Sequence, residues 1–322
     1  MIASADKIVI CFAHVAYRLQ EQFSALETGI NNFSVGDPET LEKRVGEADV
    51  LVISGLWQNQ LLDLTKRLRF IQSIGAGTDQ FACEELARRG IRLASARGVN
   101  ARAVAEHAMA LMLALSRRLP EARDNQSKRT WRGMMGDFSQ REDELGGKTL
   151  LVVGLGDIGG RLAGLAKAFD MHVVGLRRHP AFGGGAADVV YPMDRLNSLL
   201  PDADFVTLTC PLTAETEHLI DAEALSRMKP TAYLVNVARG RVVDEAALVE
   251  ALATRRIAGA GIDVTAEEPL IPSSPLWAME HVLITPHTAG ETRRYEDNVI
   301  EILLDNLGRL WRGEAQLRNQ IV

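Results

Sequence analysis

The chain has 322 residues, 47% apolar and 24% charged, the balance of a soluble globular protein, which excludes disorder, a collagen-like repeat or a coiled coil as a description of the whole. Its length suits two domains of ordinary size. A formal net charge of −6 implies no basic face, so neither nucleic acid nor an anionic membrane surface is expected as a partner.

Cys11, Cys83 and Cys210 lie far apart, with neither a disulfide framework nor zinc spacing, which suits a reducing cytoplasm and predicts no metal. The apolar run 8–13 that follows the opening segment from Met1 to Lys7 is too short for a secretory leader. No apolar stretch reaches transmembrane length, so a cytoplasmic protein is expected.

Taken in chain order, short apolar and β-branched runs alternate with amphipathic stretches. Strands are predicted at 7–12, 50–54, 70–74 and 91–94, with a helix opened by Asp37 as N-cap and Pro38 in its first turn. A long apolar helix, 101–116, carries Val104, Ala108, Leu111 and Leu115 at helical spacing, and a polar stretch, 121–144, follows it. A second series of strands is predicted at 149–153, 171–175, 205–209, 233–237, 258–262 and 282–285, with a helix opened by Asp244. Consecutive apolar positions suit parallel strands buried on both faces, and the repeated βαβ pattern implies two parallel-sheet domains. The last segment, 291–311, is helical by period and has no sheet left to continue. It is therefore expected to return to the first domain, leaving an outer domain of 1–100 plus 291–322 around an inner one of 101–290.

Strand 149–153 runs directly into Gly154, Gly156 and Gly159, and then into a helix. Glycines at this spacing are weak evidence alone; between a strand and a helix they form a dinucleotide-binding turn. Gly154 makes the tight turn, Gly156 lets a pyrophosphate approach the backbone, and Gly159 lets the helix pack on the strand. The helix N-terminus offers its free N–H groups to phosphate. An NAD site normally carries an acid about 20 residues further on, at the end of the second strand, for the ribose 2′-hydroxyl. Here Arg177 and Arg178 stand in that place, and guanidinium groups suit a 2′-phosphate. NADP(H) is the expected preference, with NAD(H) the alternative.

Reduction of a carbonyl by hydride needs a proton donor, and histidine serves at neutral pH. Of the seven histidines, His14, His172 and His179 flank strands, loops or basic turns, and His281 precedes its strand. His107 adjoins Glu106 within the long helix, where neighbouring side chains diverge by about 100°, so both read as structural. His287 instead follows the carboxyl end of strand 282–285, where ligands of open α/β sheets bind. Arg239 and Glu268 follow the two preceding strands in the same way. Three complementary side chains from successive strand ends form a sharper signal than any one alone.

These residues carry a resemblance to the D-isomer-specific 2-hydroxyacid dehydrogenase family over nearly the whole chain. The matching stretches are 98–106, 153–159, Cys210 and Pro211 through Thr213, 236–240 with Val243 to Glu245, 261–263 through Glu268 and Pro269, and Thr285 through His287. The resemblance implies that Arg239 binds the substrate carboxylate and keto oxygen, that His287 is the acid/base and that Glu268 orients it. It implies that the loop from Ile74 through Gly75 to Asp79 is the substrate loop, with backbone N–H groups of Ala76 and Gly77 holding the carboxylate. Leu56 and Trp57, after strand 50–54, are candidates to shape the pocket, Trp57 being equally suited to packed core. The implied cofactor residues are Gly154, Gly156, Asp157, Ile158, Gly159, Arg177, Arg178, Cys210, Pro211, Thr216, Ala238 and Asp263, the last toward the nicotinamide carboxamide. A homodimer built through the cofactor domain is also implied, with Trp131 either core or interface.

The expected class is thus α/β, with two doubly wound parallel-sheet domains, a Rossmann cofactor domain inserted into a discontinuous flavodoxin-like substrate domain. The expected activity is reduction of a small 2-keto acid, glyoxylate or hydroxypyruvate, by NADP(H). No additional cations near Leu56 and Ala76 await a phosphorylated substrate, and no regulatory extension is apparent. An NAD-linked D-3-phosphoglycerate or other D-2-hydroxyacid dehydrogenase, or a cofactor-sensing protein of the corepressor kind, are the alternatives.

Overall fold

Twelve short strands form two parallel sheets in the computed structural model, which describes residues 4–322, the side chain at 139 excepted. Met1, Ile2 and Ala3, part of the opening segment weighed above as a leader, lie outside the described residues. The chain divides into two compact units: one runs to Asn100 and resumes over Thr292–Val322, and the other is Ala101–Glu291.

The first unit holds β1 (Val9–Ala13), β2 (Asn31–Val35), β3 (Val50–Ile53), β4 (Phe70–Ser73) and β5 (Arg92–Ala94), in the order β2-β1-β3-β4-β5. The two central strands β3 and β4 are buried at every position, as expected of a sheet covered on both faces. The helix Pro38–Arg44 begins as its sequence dictates: the Asp37 carboxylate accepts the Thr40 N–H at 2.8 Å. The closing helix Tyr295–Trp311 packs on the helix Leu19–Ser24 of the same unit, burying Val299, Ile302, Leu303 and Leu307.

The second unit holds β6 (Thr149–Val153), β7 (His172–Leu176), β8 (Val189–Tyr191), β9 (Phe205–Leu208), β10 (Tyr233–Asn236), β11 (Gly259–Ile262) and β12 (Val282–Ile284). Their order is β12-β11-β10-β9-β6-β7-β8, every neighbouring pair parallel. The chain winds outward from β6 in one direction and from β9 in the other, which makes the β6/β9 junction the switch point of a doubly wound sheet. The helix Ala101–Ser116 packs on the helix Asp157–Ala168 and on β10 and β11.

Two strands escape the sequence reading. β2 (Asn31, Asn32, Phe33, Ser34, Val35) and β8 are partly exposed edge strands; β2 is mostly polar, and β8, though apolar, is only three residues long. β2 is defined only by its pairing with β1, Asn31 opposite Val9.

Candidate active site

The glycine turn lies at the switch point. Gly154 has φ +103°, a conformation open to glycine, and a β-carbon there would lie 2.5 Å from the Cys210 amide nitrogen. Turn and β9 loop therefore abut. Gly156 is the N-cap of the 12-residue helix Asp157–Ala168, and a β-carbon on it would meet nothing within 4 Å, so space stays open beside the first turn with Asp157, Ile158 and Gly159. Open backbone at a helix N-terminus beside a switch point fits a pyrophosphate.

The end of β7 is tied to this turn, because Leu176 O accepts the N–H groups of both Gly154, at 2.9 Å, and Leu155, at 2.8 Å. Arg177 and Arg178 follow at once. Arg177 is half-buried, donates to Gly183 O and lies 5.7 Å from the Phe182 ring centroid. Arg178 is exposed and pairs with Glu215 at 3.0 Å. In the loop after β9, burial pushes the Cys210 thiol up to about 11. The Thr216 hydroxyl donates to Pro211 O at 2.6 Å and receives Thr213 N at 2.8 Å, so it shapes the loop from within.

On the other wing, β10, β11 and β12 are neighbours in register, Asn236 opposite Ile262 and Ile262 opposite Ile284. Their carboxyl ends carry Arg239, the loop from Asp263 to Glu268, and His287. The loops after β10 and β11 touch: a β-carbon at Gly240 would overlap the Thr265 carbonyl. Asn236 shapes the first loop, accepting Ala238 N and donating to Arg239 O, both at 3.0 Å. Arg239 itself is exposed, with Nη1 donating to Ala238 O at 2.7 Å.

Glu268 and His287 meet directly, Oε2 to Nδ1, at 2.7 Å. Glu268 is steadied by Thr265 N on Oε1 at 3.2 Å. His287 has φ +54°, a left-handed conformation that costs a non-glycine residue about 1–3 kcal/mol. Its N–H is held by Asp263 O at 2.8 Å. Asp263 is buried, and its carboxylate accepts Thr285 Oγ1 at 2.6 Å, Thr288 N at 2.9 Å and Ala289 N at 3.0 Å. That carboxylate is spent on holding the turn that carries His287, a role the sequence reading missed along with Thr285. The pairing of a buried aspartate with a Thr-Pro-His turn was its only signal.

In the first unit, the loop Gly75, Ala76 and Gly77 follows β4. Gly75 O accepts Ala96 N at 2.9 Å, and Ile74 O accepts the Tyr295 hydroxyl at 2.6 Å, while Ala76 and Gly77 are exposed. Leu56 is half-buried. Trp57 belongs to the core: it is buried, packs on Phe81 with ring centroids 5.1 Å apart and donates to Asn59 at 2.9 Å. Trp131 is fully exposed, so within the chain it is not core. Among the described residues no cluster of side chains could hold a metal ion.

The family model for the D-isomer specific 2-hydroxyacid dehydrogenase NAD binding domain matches residues 109–289. A glyoxylate reductase from Korarchaeum cryptofilum is 36% identical over 84% of this chain and 82% of its own length. A D-3-phosphoglycerate dehydrogenase from a Synechocystis species is 38% identical over 74% of this chain, which spans only 42% of that protein. The solved structure of a D-isomer specific 2-hydroxyacid dehydrogenase family protein from Aeromonas salmonicida, 30% identical, superimposes with a TM-score of 0.84 over 98% of this chain and 99% of its own.

Proposed function

Because the chain belongs to the D-isomer specific 2-hydroxyacid dehydrogenase family, and is an NAD(P)-dependent oxidoreductase of that class, we propose that it reduces a small 2-keto acid, glyoxylate or hydroxypyruvate, with NADPH. The observation that carries the reading is the 2.7 Å contact between His287 Nδ1 and Glu268. With Nδ1–H donated to that carboxylate, Nε2 is the atom left to present a proton.

When bound, NADPH would supply the hydride that the carbonyl carbon accepts. His287 delivers its Nε2 proton to the keto oxygen as negative charge grows there, and Glu268 steadies the imidazolium before transfer. Arg239, whose backbone carbonyl is held by Asn236, offers its guanidinium to the same oxygen and to the substrate carboxylate. The product is the 2-hydroxy acid, its new C–H from the hydride and its new O–H from His287.

Gly154, Gly156 and the first turn through Asp157, Ile158 and Gly159 would hold the pyrophosphate. Cys210, Pro211, Thr216 and Ala238 would wall the nucleotide; Asp263, which the resemblance assigns to the carboxamide, has its carboxylate engaged by Thr285, Thr288 and Ala289. Preference for NADPH rests on Arg177 and Arg178 at the end of β7, where an acid would favour NADH. The Arg178–Glu215 pair is exposed on both sides, and such pairs are worth about 0–1 kcal/mol, so a 2′-phosphate can displace the glutamate.

A small unphosphorylated acid is favoured because residues 55–57 and 75–78 carry no cation. The likeness to a D-3-phosphoglycerate dehydrogenase supports an NAD-linked second reading. We assign the protein to the cytoplasm on its three free cysteines, and to a homodimer on the exposed apolar segment around Trp131. Among the described residues no helix is long and apolar enough to cross a membrane.

The test is His287→Gln. Turnover of the 2-keto acid should fall by about 10²–10⁴-fold while NADPH binding is retained. Turnover near wild type with cofactor binding intact overturns the acid/base assignment.

A further inference from the structure

His107, set aside above because its helical neighbour points elsewhere, does reach the strand end that carries His287. It lies on the helix Ala101–Ser116, which packs on β10 and β11, and its imidazole Nε2 is 2.9 Å from Thr285 Oγ1. Thr285 Oγ1 is in turn 2.6 Å from Asp263 Oδ1.

The proton inventory gives this chain a direction. A threonine hydroxyl has one hydrogen, and a carboxylate only accepts. Asp263 Oδ1, which also receives Thr288 N at 2.9 Å, therefore takes the Thr285 hydrogen. Thr285 is left as acceptor toward His107, so His107 Nε2 carries a proton. That N–H also faces Asp263 Oδ1 itself at 3.6 Å. A ring tied in this way has a set tautomer and orientation.

The far end of the chain is the turn that bears the reacting imidazole. Asp263 holds Thr288 N and Ala289 N through its side chain and His287 N, at 2.8 Å, through its backbone carbonyl. Within that turn His287 has φ +54°. Thr285 thus has its hydroxyl oriented from two sides, by Asp263 and by the helix.

We propose that His107 is a positioning residue for the reduction, acting through Thr285 and Asp263 to hold the turn that places His287. The proposal rests on the 2-keto acid reductase reading for its kinetic consequence. The proton position at Nε2 is independent of that reading.

Two pairs of variants of the full-length enzyme test it. His107→Phe removes the donor and keeps a ring, whereas His107→Gln restores an N–H at similar reach. Thr285→Val removes the linking hydroxyl, and Thr285→Ser keeps it. His107→Phe and Thr285→Val should lower kcat by about 10- to 100-fold, the scale of a small misplacement of a reacting group. The KM for the 2-keto acid and the Kd for NADPH should change far less. His107→Gln and Thr285→Ser should recover most of the loss. Unchanged kcat in His107→Phe overturns the proposal. So does an equal loss in His107→Gln and Thr285→Ser, since that marks packing alone.

The second readout is imidazole ¹⁵N NMR of histidine-labelled wild type, with His107→Gln identifying the resonance. Nε2 should be protonated, and Thr285→Val should perturb its signal. A bare Nε2 overturns the proposal whatever the kinetics. Wild type that reduces none of the 2-keto acids fails the functional reading alone, and the proton position then decides this inference.

Discussion

His287 occupies backbone that costs free energy, within hydrogen-bond reach of a carboxylate, on a turn tied to a buried aspartate. Strain held by surrounding hydrogen bonds is how a fold preorganises a reacting group. His14 shows the opposite use of an imidazole. Its Nδ1 accepts the N–H groups of Ala16 at 3.0 Å and Tyr17 at 2.7 Å, and burial lowers its pKa from 6.5. A neutral ring is thus favoured in the folded state, and the unfolded chain binds the proton more readily. His14 contributes stability that is complete above pH 6.5 and is lost as pH falls below it, toward the lowered folded value. His281, lowered by burial and by Arg255, adds a term of the same sign. Melting followed from pH 8 to pH 5.5 should show Tm falling with pH, and less steeply in His14→Gln than in wild type. An equal slope in the two proteins contradicts this. At this scale the strand-end positions of Arg239, Glu268 and His287, the last two in contact, were legible. Thr285 and His107 were not, because a hydrogen bond between a helix and a distant strand end leaves no sequence spacing.

The element that carries the cofactor reading is the strand–turn–helix of β6, Gly154 to Gly159, and the helix Asp157–Ala168. It was legible because local chemistry dictates it: glycines where backbone approach demands them, a strand before, a helix after. The capping residues Asp37 and Asp244 were legible for the same reason, each accepting an N–H three residues on. β2 and β8 were not, since β2 carries polar Asn31, Asn32 and Ser34 and β8 is only three residues long. The proposed nucleotide choice belongs to this element too, because Leu176 O receives Gly154 N and so ties Arg177 and Arg178 to the glycine turn. Replacing both arginines by alanine should raise the Kd for NADPH at least about tenfold relative to that for NADH, the loss of a charge-assisted contact of about 1.5–3 kcal/mol. Equal effects on the two nucleotides, read by quenching of protein fluorescence, would remove the basis for NADPH preference.

At the scale of the whole molecule, two features stand out: the division of the chain into a discontinuous unit and a contiguous one, and an unburied arm on the latter. The division follows from the closing helix, whose Val299, Ile302 and Leu303 bury in the core of the first unit. The helix Leu119–Ser127 buries no residue of its own, and Trp131, Met134 and Phe138 beyond it are exposed by 97%, 105% and 82%. These exposed apolar side chains are what supports the homodimer proposed above. On the homodimer reading, Trp131→Asp with Met134→Asp should shift the sedimentation coefficient from dimer to monomer, with the circular dichroism spectrum retained. A wild-type monomer at micromolar concentration contradicts that reading.

The central claim, reduction of a small 2-keto acid by NADPH, is met most directly by absorbance decay of NADPH and NADH in parallel with glyoxylate, hydroxypyruvate, pyruvate and phosphohydroxypyruvate. Faster loss of NADPH with glyoxylate or hydroxypyruvate is the predicted result. Loss of NADH confined to phosphohydroxypyruvate contradicts it in favour of the phosphoglycerate reading. Tight cofactor binding with no turnover of any of the four contradicts the proposed reaction and points to a nucleotide sensor.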